Sequence, residues 1–245
     1  MKDLDKLLDL AKEAACIAGN HLKENLNADL KILLNQGRDI KLQIDQDTEN
    51  LIKEHIKAQS SLPILAEESG YSEDLGDLFW VIDPLDGTSN FLRNIPICCV
   101  AIALMHKSIP VLGVINDFNN NDLYFAHRDS PAYLNQERIF VSDIESKSKG
   151  TLVTGIPAKE NYLDEEFHEM ISEFQDWKKV RMIGSAAMAS AYVASGKADT
   201  YKENGIFLWD IAAGAAIVKA AGGNVSISNI QEDFRVHAKF SNSCL

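Results

Sequence analysis

Positive charge is scarce in this chain: 24 lysines and arginines stand against 36 aspartates and glutamates over 245 residues, a formal charge of −12. Binding to nucleic-acid polymers or anionic membranes needs a basic face, so both are excluded as general partners. An anionic ligand such as a phosphate would need another attractor, and bound cations are the obvious one. Ordered cysteine spacing is also missing. The four cysteines, Cys16, Cys98, Cys99 and Cys244, form no CxxC or Cys/His pattern. That argues against a zinc site or a disulfide framework and fits thiols kept reduced. The longest apolar run, residues 95–105, is too short to span a bilayer and contains Pro96. Acids from Asp3 onward argue against a secretory leader, so a cytoplasmic protein is expected. Gly-rich phosphate loops and HExxH pairs are absent, and no Ser/His/Asp set stands out.

What remains is an ordinary globular composition, 46% hydrophobic, at a length suited to one large or two small domains sharing a core. Leu4, Leu7, Leu8, Ala11, Ala15, Ala18 and Leu22 recur at helical spacing and predict an opening amphipathic helix. Ile40, Ile44, Leu51, Ile52 and Ile56 predict a loop running into a second helix. Short apolar runs at 64–66, 79–82, 97–105, 111–115 and 123–126 have strand length, with turns at 108–110 and 119–122, and read as an antiparallel meander. Beyond it, 151–154 reads as a strand, 164–174 as a helix, and 185–194 and 211–221 as Ala-rich helices. A loop around 199–201 separates the last two, and 225–227 reads as a closing strand. The expected plan is layered α/β in two halves, 1–145 and 146–245, forming one continuous unit.

Carboxylates gather at three places. Trp80-Val81-Ile82-Asp83-Pro84-Leu85-Asp86-Gly87-Thr88 is an apolar strand ending at two acids, followed by a glycine and a helix start. Two carboxylates beside free backbone N–H groups suit a hard cation and an anion, although an Asp-Gly turn with a capping aspartate explains the segment equally well on its own. Leu65-Ala66-Glu67-Glu68-Ser69 places acids just after a short strand. Trp209-Asp210-Ile211-Ala212-Ala213-Gly214 places one acid at a helix start, where an N-cap is the ordinary role.

In this order, the three segments resemble the signatures of the inositol monophosphatase family, a lithium-sensitive group of metal-dependent phosphatases. The likeness runs from the first helix to about Ile227. It implies a layered α-β-α-β-α sugar-phosphatase-like sandwich. It implies two or three Mg²⁺ ions held by Glu67, Asp83, Asp86, Asp210 and the carbonyl of Leu85. It implies that Asp45 and Thr88 activate water, that the N–H groups of Gly87 and Thr88 hold phosphate, and that Ser185, Ala186 and Glu203 face the substrate.

The resemblance also implies the activity: Mg²⁺-dependent hydrolysis of a small phosphate monoester, inhibited by Li⁺, with a homodimer as a possible assembly. Two departures bear on the substrate. The usual lysine ahead of the early acid is replaced at Leu34-Asn35, and the usual Val-Thr-x-x-Asp reads Lys41-Leu42-Gln43-Ile44-Asp45. A 3′(2′),5′-bisphosphate nucleotidase of the same family therefore stays open, with Arg93, Arg181 and Lys202 as candidate phosphate contacts. So does a noncatalytic metal- or phosphate-binding regulator.

Overall fold

Leucine and alanine at three- and four-residue spacing make the first helix, α1 (Leu4–Glu24), with Leu7, Leu8, Ala11, Ala15, Ala18 and Leu22 on its buried side. The computed structural model describes residues 3–26, 28, 30–36, 39–71, 74–156 and 163–245. A short antiparallel hairpin follows, β1 (Ile32–Gln36) and β2 (Asp39–Leu42), where a loop is expected from the sequence. Next come α2 (Gln43–Lys57), β3 (Ile64–Ala66), β4 (Leu78–Asp86), α3 (Thr88–Leu92), β5 (Cys99–His106), β6 (Ile109–Asp117), β7 (Asp122–His127), β8 (Tyr133–Leu134) and β9 (Glu137–Arg138). The second half contains β10 (Thr151–Thr154), α4 (Asp164–Phe174), β11 (Lys179–Met182), α5 (Ala186–Ala194), β12 (Thr200–Phe207), α6 (Leu208–Ala220), β13 (Asn224–Ser228) and β14 (Arg235–Ser241).

Strands β3 to β9 form a seven-stranded sheet in sequence order. It is an antiparallel meander from β4 onward, with β3 joined in parallel to β4. The second sheet is mixed, in the order β11-β10-β12-β14-β13. Strand β5 shows how the first sheet is covered. Val100, Ile102 and Leu104 enter a core with α1 and α2, while Cys99, Ala101, Ala103 and Met105 enter the core around α5 and α6. Both faces are buried, hence the unbroken apolar run.

Helices α5 and α6 lie between the sheets, and their small residues let them approach closely. A Cβ on Gly113 of β6 would come within 2.1 Å of the Ala213 carbonyl oxygen, so this crossing of sheet and helix needs glycine. Helix α4 lies on the far side of the second sheet, over Leu152, Thr154 and Lys202, which completes the five layers α-β-α-β-α. Among the described residues no helix is long and apolar enough to cross a membrane.

Candidate active site

The centre of the site is the end of β4. Phe79 to Ile82 drive it through the sheet, alternating between the two cores. Pro84 cannot donate to the ladder, and the register with β5 slips between Asp83 and Asp86. Two carboxylates therefore leave one strand end close together. The Leu85 side chain anchors the bulge in the α1/α2 core, while its N–H donates to Asp83 Oδ1 at 3.0 Å. Gly87 follows at φ 90°, where a Cβ would sit 2.8 Å from the Ile97 carbonyl oxygen. Only glycine makes this turn into α3 without strain.

The third acid comes from the second half of the chain. Asp210 is the third residue of α6 and accepts the N–H of Phe207 at 3.3 Å; Phe207, not Asp210 as the sequence suggested, is the N-cap, and Asp210 caps the helix from inside its first turn. It also has a second position: carboxylate oxygens of Asp83, Asp86 and Asp210 all lie within 4.8 Å of one another. Glu67 joins them through a hydrogen bond between its carboxyl group and that of Asp83. Its loop is held by Glu67 N–H to the Ile82 carbonyl (3.2 Å), by Glu68 N–H to Glu49 Oε2 (2.8 Å) and by Lys41 Nζ to Glu68 (2.9 Å).

Acids at this density, with Asp83 and Asp86 buried and Glu67 and Asp210 partly so, resist ionisation. Burial pushes Asp83 and Asp210 well above the usual carboxylate range, with Glu67 and then Asp86 adding repulsion at both. Burial, followed by the charge of Glu68, lifts Glu67 to about 8. Burial lifts Asp86 to about 6, opposed by hydrogen bonds from Ser185 and Ala187. An all-oxygen set with this much unrelieved negative charge, lacking sulfur and imidazole, fits a hard divalent cation such as Mg²⁺.

Asp45 lies in the first turn of α2. Its Oδ2 accepts the Leu42 N–H at 2.7 Å, while Oδ1 is buried without a hydrogen-bond partner among the described residues. Burial raises Asp45 to about 7. The Thr88 hydroxyl donates to the Leu85 carbonyl at 3.1 Å, so Asp45 and Thr88 are not bonded to each other here. A cleft of about 340 Å³ is lined by Glu67, Asp86, Gly87, Thr88, Ser185, Ala186 and Glu203. Ser185 Oγ donates to Asp86 Oδ2 at 2.5 Å, and Ala187 N–H donates to the same oxygen at 2.7 Å. The start of α5 thus holds a carboxylate of the cluster. Glu203 is buried, accepts the Tyr201 hydroxyl at 3.1 Å, and is lifted by burial to about 8.

Among the basic candidates, Lys202 is paired with Glu173 at 2.6 Å, Arg181 is exposed on β11, and Arg93 caps α3. Three supporting residues escaped the sequence reading. Glu49 braces the Glu67 loop, Tyr201 orients Glu203, and Asn90 ties α3 to the carbonyls of Ile97 (2.7 Å) and Ile183 (2.8 Å). Glu49 left a signal. It falls four residues after Asp45 on the stripe that buries Ile52 and Ile56, where an acid has no solvating role.

The model of the inositol monophosphatase family matches residues 3–239. A protein of Pasteurella multocida named Nus factor SuhB is 38% identical over 227 residues, covering 91% of this chain and 85% of that protein. The inositol-1-monophosphatase of a Synechocystis species is 38% identical over 229 residues, covering 91% and 79%. The solved inositol monophosphatase of Anabaena superposes with a TM-score of 0.86 at 32% identity, covering 98% of this chain and 92% of that one.

Proposed function

We propose that this chain, which belongs to the inositol monophosphatase family, is a Mg²⁺-dependent phosphatase acting on a small phosphate monoester. The observation that carries the reading is the meeting of Asp83 and Asp86 from the first half of the chain with Asp210 from the second. Four acids crowded together destabilise the fold, and a divalent cation gives them a purpose.

Asp83, Asp86, Asp210, Glu67 and the Leu85 carbonyl would hold the ions. Bound there, Mg²⁺ would neutralise phosphate charge and acidify water. The residues of the chain do the rest. Asp45 Oδ1, buried and with no partner among the described residues, would accept a proton from the attacking water, and its raised pKa brings it near neutral, where a general base works best. Thr88 can orient that water by turning its hydroxyl from the Leu85 carbonyl. The N–H groups of Gly87 and Thr88 would receive phosphate oxygens. Ser185 keeps Asp86 in place, and Glu203 with Tyr201 forms the wall that meets the leaving alcohol.

The test is phosphate release from a panel of myo-inositol 1-phosphate, adenosine 3′,5′-bisphosphate, fructose 1,6-bisphosphate and histidinol phosphate, with Mg²⁺ and after chelation. Release that needs Mg²⁺ and falls with Li⁺ supports the reading. No release from any ester favours the noncatalytic regulator, a role that the Nus factor name of the Pasteurella relative leaves open.

A further inference from the structure

Glu49 is only 2% exposed, yet it stands neither in the Asp83/Asp86/Asp210 cluster nor along the 340 Å³ cleft. Its two oxygens are occupied unequally. Oε2 accepts the Glu68 N–H at 2.8 Å, and Oε1 pairs with Lys53 Nζ at 3.4 Å. A carboxylate withdrawn from water with so few partners costs stability at a position where an apolar side chain would add it. Ile52 and Ile56 do add it on the buried side of the same helix.

What Glu49 holds is the turn that carries Glu67. Ala66 and Gly70 exchange both backbone hydrogen bonds, at 3.0 and 2.9 Å, and so close residues 66–70 into a compact unit. The Glu67 N–H fixes this unit to the first sheet through the Ile82 carbonyl at 3.2 Å, and the Glu68 N–H fixes it to α2 through Glu49. Two further links run through long lysine side chains: Lys41 to Glu68 at 2.9 Å and Lys53 to Ser69 Oγ at 2.8 Å. Asp45 and Glu49 are both buried and stand one turn apart on α2, at i and i+4. The path from Asp45 to Glu67 is therefore one helical turn, one carboxylate and one hydrogen bond to the neighbouring N–H.

We propose that Glu49 is a positioning residue, which keeps the metal ligand Glu67 at a fixed spacing from the general base Asp45. The inference rests on the phosphatase reading and adds to it how two groups from separate elements hold one geometry. Helix α2 is the shared frame. What matters is where the Glu49 acceptor stands, since the Glu68 N–H follows it and Glu67 is the next residue in the chain. Mg²⁺ demands near-ideal octahedral geometry, so a small displacement of Glu67 weakens its hold on the ion.

Two conservative variants separate position from charge. Glu49→Gln keeps an acceptor at the same reach and removes the charge, and Lys53 retains Ser69 as a partner. Glu49→Asp keeps the charge and withdraws the acceptor by one methylene, about 1.5 Å. Mg²⁺ affinity is read by calorimetry on metal-stripped protein, loss of packing by thermal unfolding in EDTA, and kcat and KM by phosphate release from the same four esters. Glu49→Asp is expected to weaken Mg²⁺ binding by about tenfold, as for other residues that orient a metal ligand, and to lower kcat with little change in KM. Glu49→Gln should stay close to wild type in both. Wild-type Mg²⁺ affinity in Glu49→Asp, or an equal loss in Glu49→Gln, overturns the positioning role. A wild type that binds Mg²⁺ but releases phosphate from no ester overturns the phosphatase reading instead, and the calorimetry still decides the role of Glu49.

Discussion

Replacing Asp83 with asparagine should stabilise the metal-free protein while abolishing its response to Mg²⁺. Asp83 faces Asp86 and Asp210 with carboxylate oxygens inside 4.8 Å. At that distance, with an effective dielectric constant near 20, each like-charge pair costs about 3–4 kcal/mol. The cluster escapes part of this by binding protons. Protonating an ordinary aspartate near pH 7.5 costs about 5 kcal/mol, which sets a ceiling on the relief. Asparagine keeps an acceptor for the Leu85 N–H and nearly the same volume, so packing and this hydrogen bond survive. The expected net gain is about 2–4 kcal/mol, or roughly 4–16 °C in Tm for a chain of this length. The assay is thermal unfolding of both proteins in EDTA and in excess Mg²⁺. With Mg²⁺ the order should reverse, because only the wild type gains binding free energy. A variant that melts at or below wild type in EDTA would refute the claim that these acids repel one another in the folded state.

The same acids fix a pH dependence. Glu67 at about 8, Asp45 at about 7 and Asp86 at about 6 bind protons in the folded chain that the unfolded chain releases near pH 4. The folded state therefore holds more protons between about pH 4 and 8, and metal-free stability should fall as pH rises through that window, as denaturant midpoints would report. Asp45→Asn should lower kcat by about 10²–10⁴-fold with Mg²⁺ affinity by calorimetry little changed. Thr88→Ala should do the same, and the double variant should be little worse than the worse single if the two act as one unit. Ser185→Ala removes the N-cap of α5 and a ligand of Asp86; a loss of about 1 kcal/mol in chemical denaturation, with weaker Mg²⁺ binding, is expected.

Much of the fold is legible because its elements obey simple periods. The α1 stripe and the run from β4 to β7 bury what their spacing says they should. The misses have separate causes. Strand β12 contains Lys202, Glu203 and Asn204, which no propensity would place in a sheet; its polar residues face two cavities, and function has displaced the strand pattern. Strand β14 carried a plain alternation, Val236, Ala238 and Phe240 inward between polar residues, and could have been read. At the site, Asp83-Pro84-Leu85-Asp86-Gly87 is legible in outline because proline, glycine and paired acids each restrict the backbone or demand a partner. That Asp210 joins them from more than a hundred residues away follows from α6 lying between the two sheets, a tertiary fact that no local window contains. Ser185 illustrates a partial reading. The family resemblance implies that it faces the pocket from a helix start, and the structure gives its hydroxyl to Asp86.

The central claim is that Asp83, Asp86 and Asp210 hold the cations on which phosphate release depends. It is tested most directly by stripping wild type and Asp210→Asn exhaustively with EDTA, then following phosphate release from the four-ester panel as Mg²⁺ is titrated back. Wild-type release should vanish on chelation and return with Mg²⁺, while Asp210→Asn, folded by circular dichroism, should stay inactive or need far more Mg²⁺. Full turnover by the chelated wild type, or the same Mg²⁺ dependence in both proteins, would contradict it.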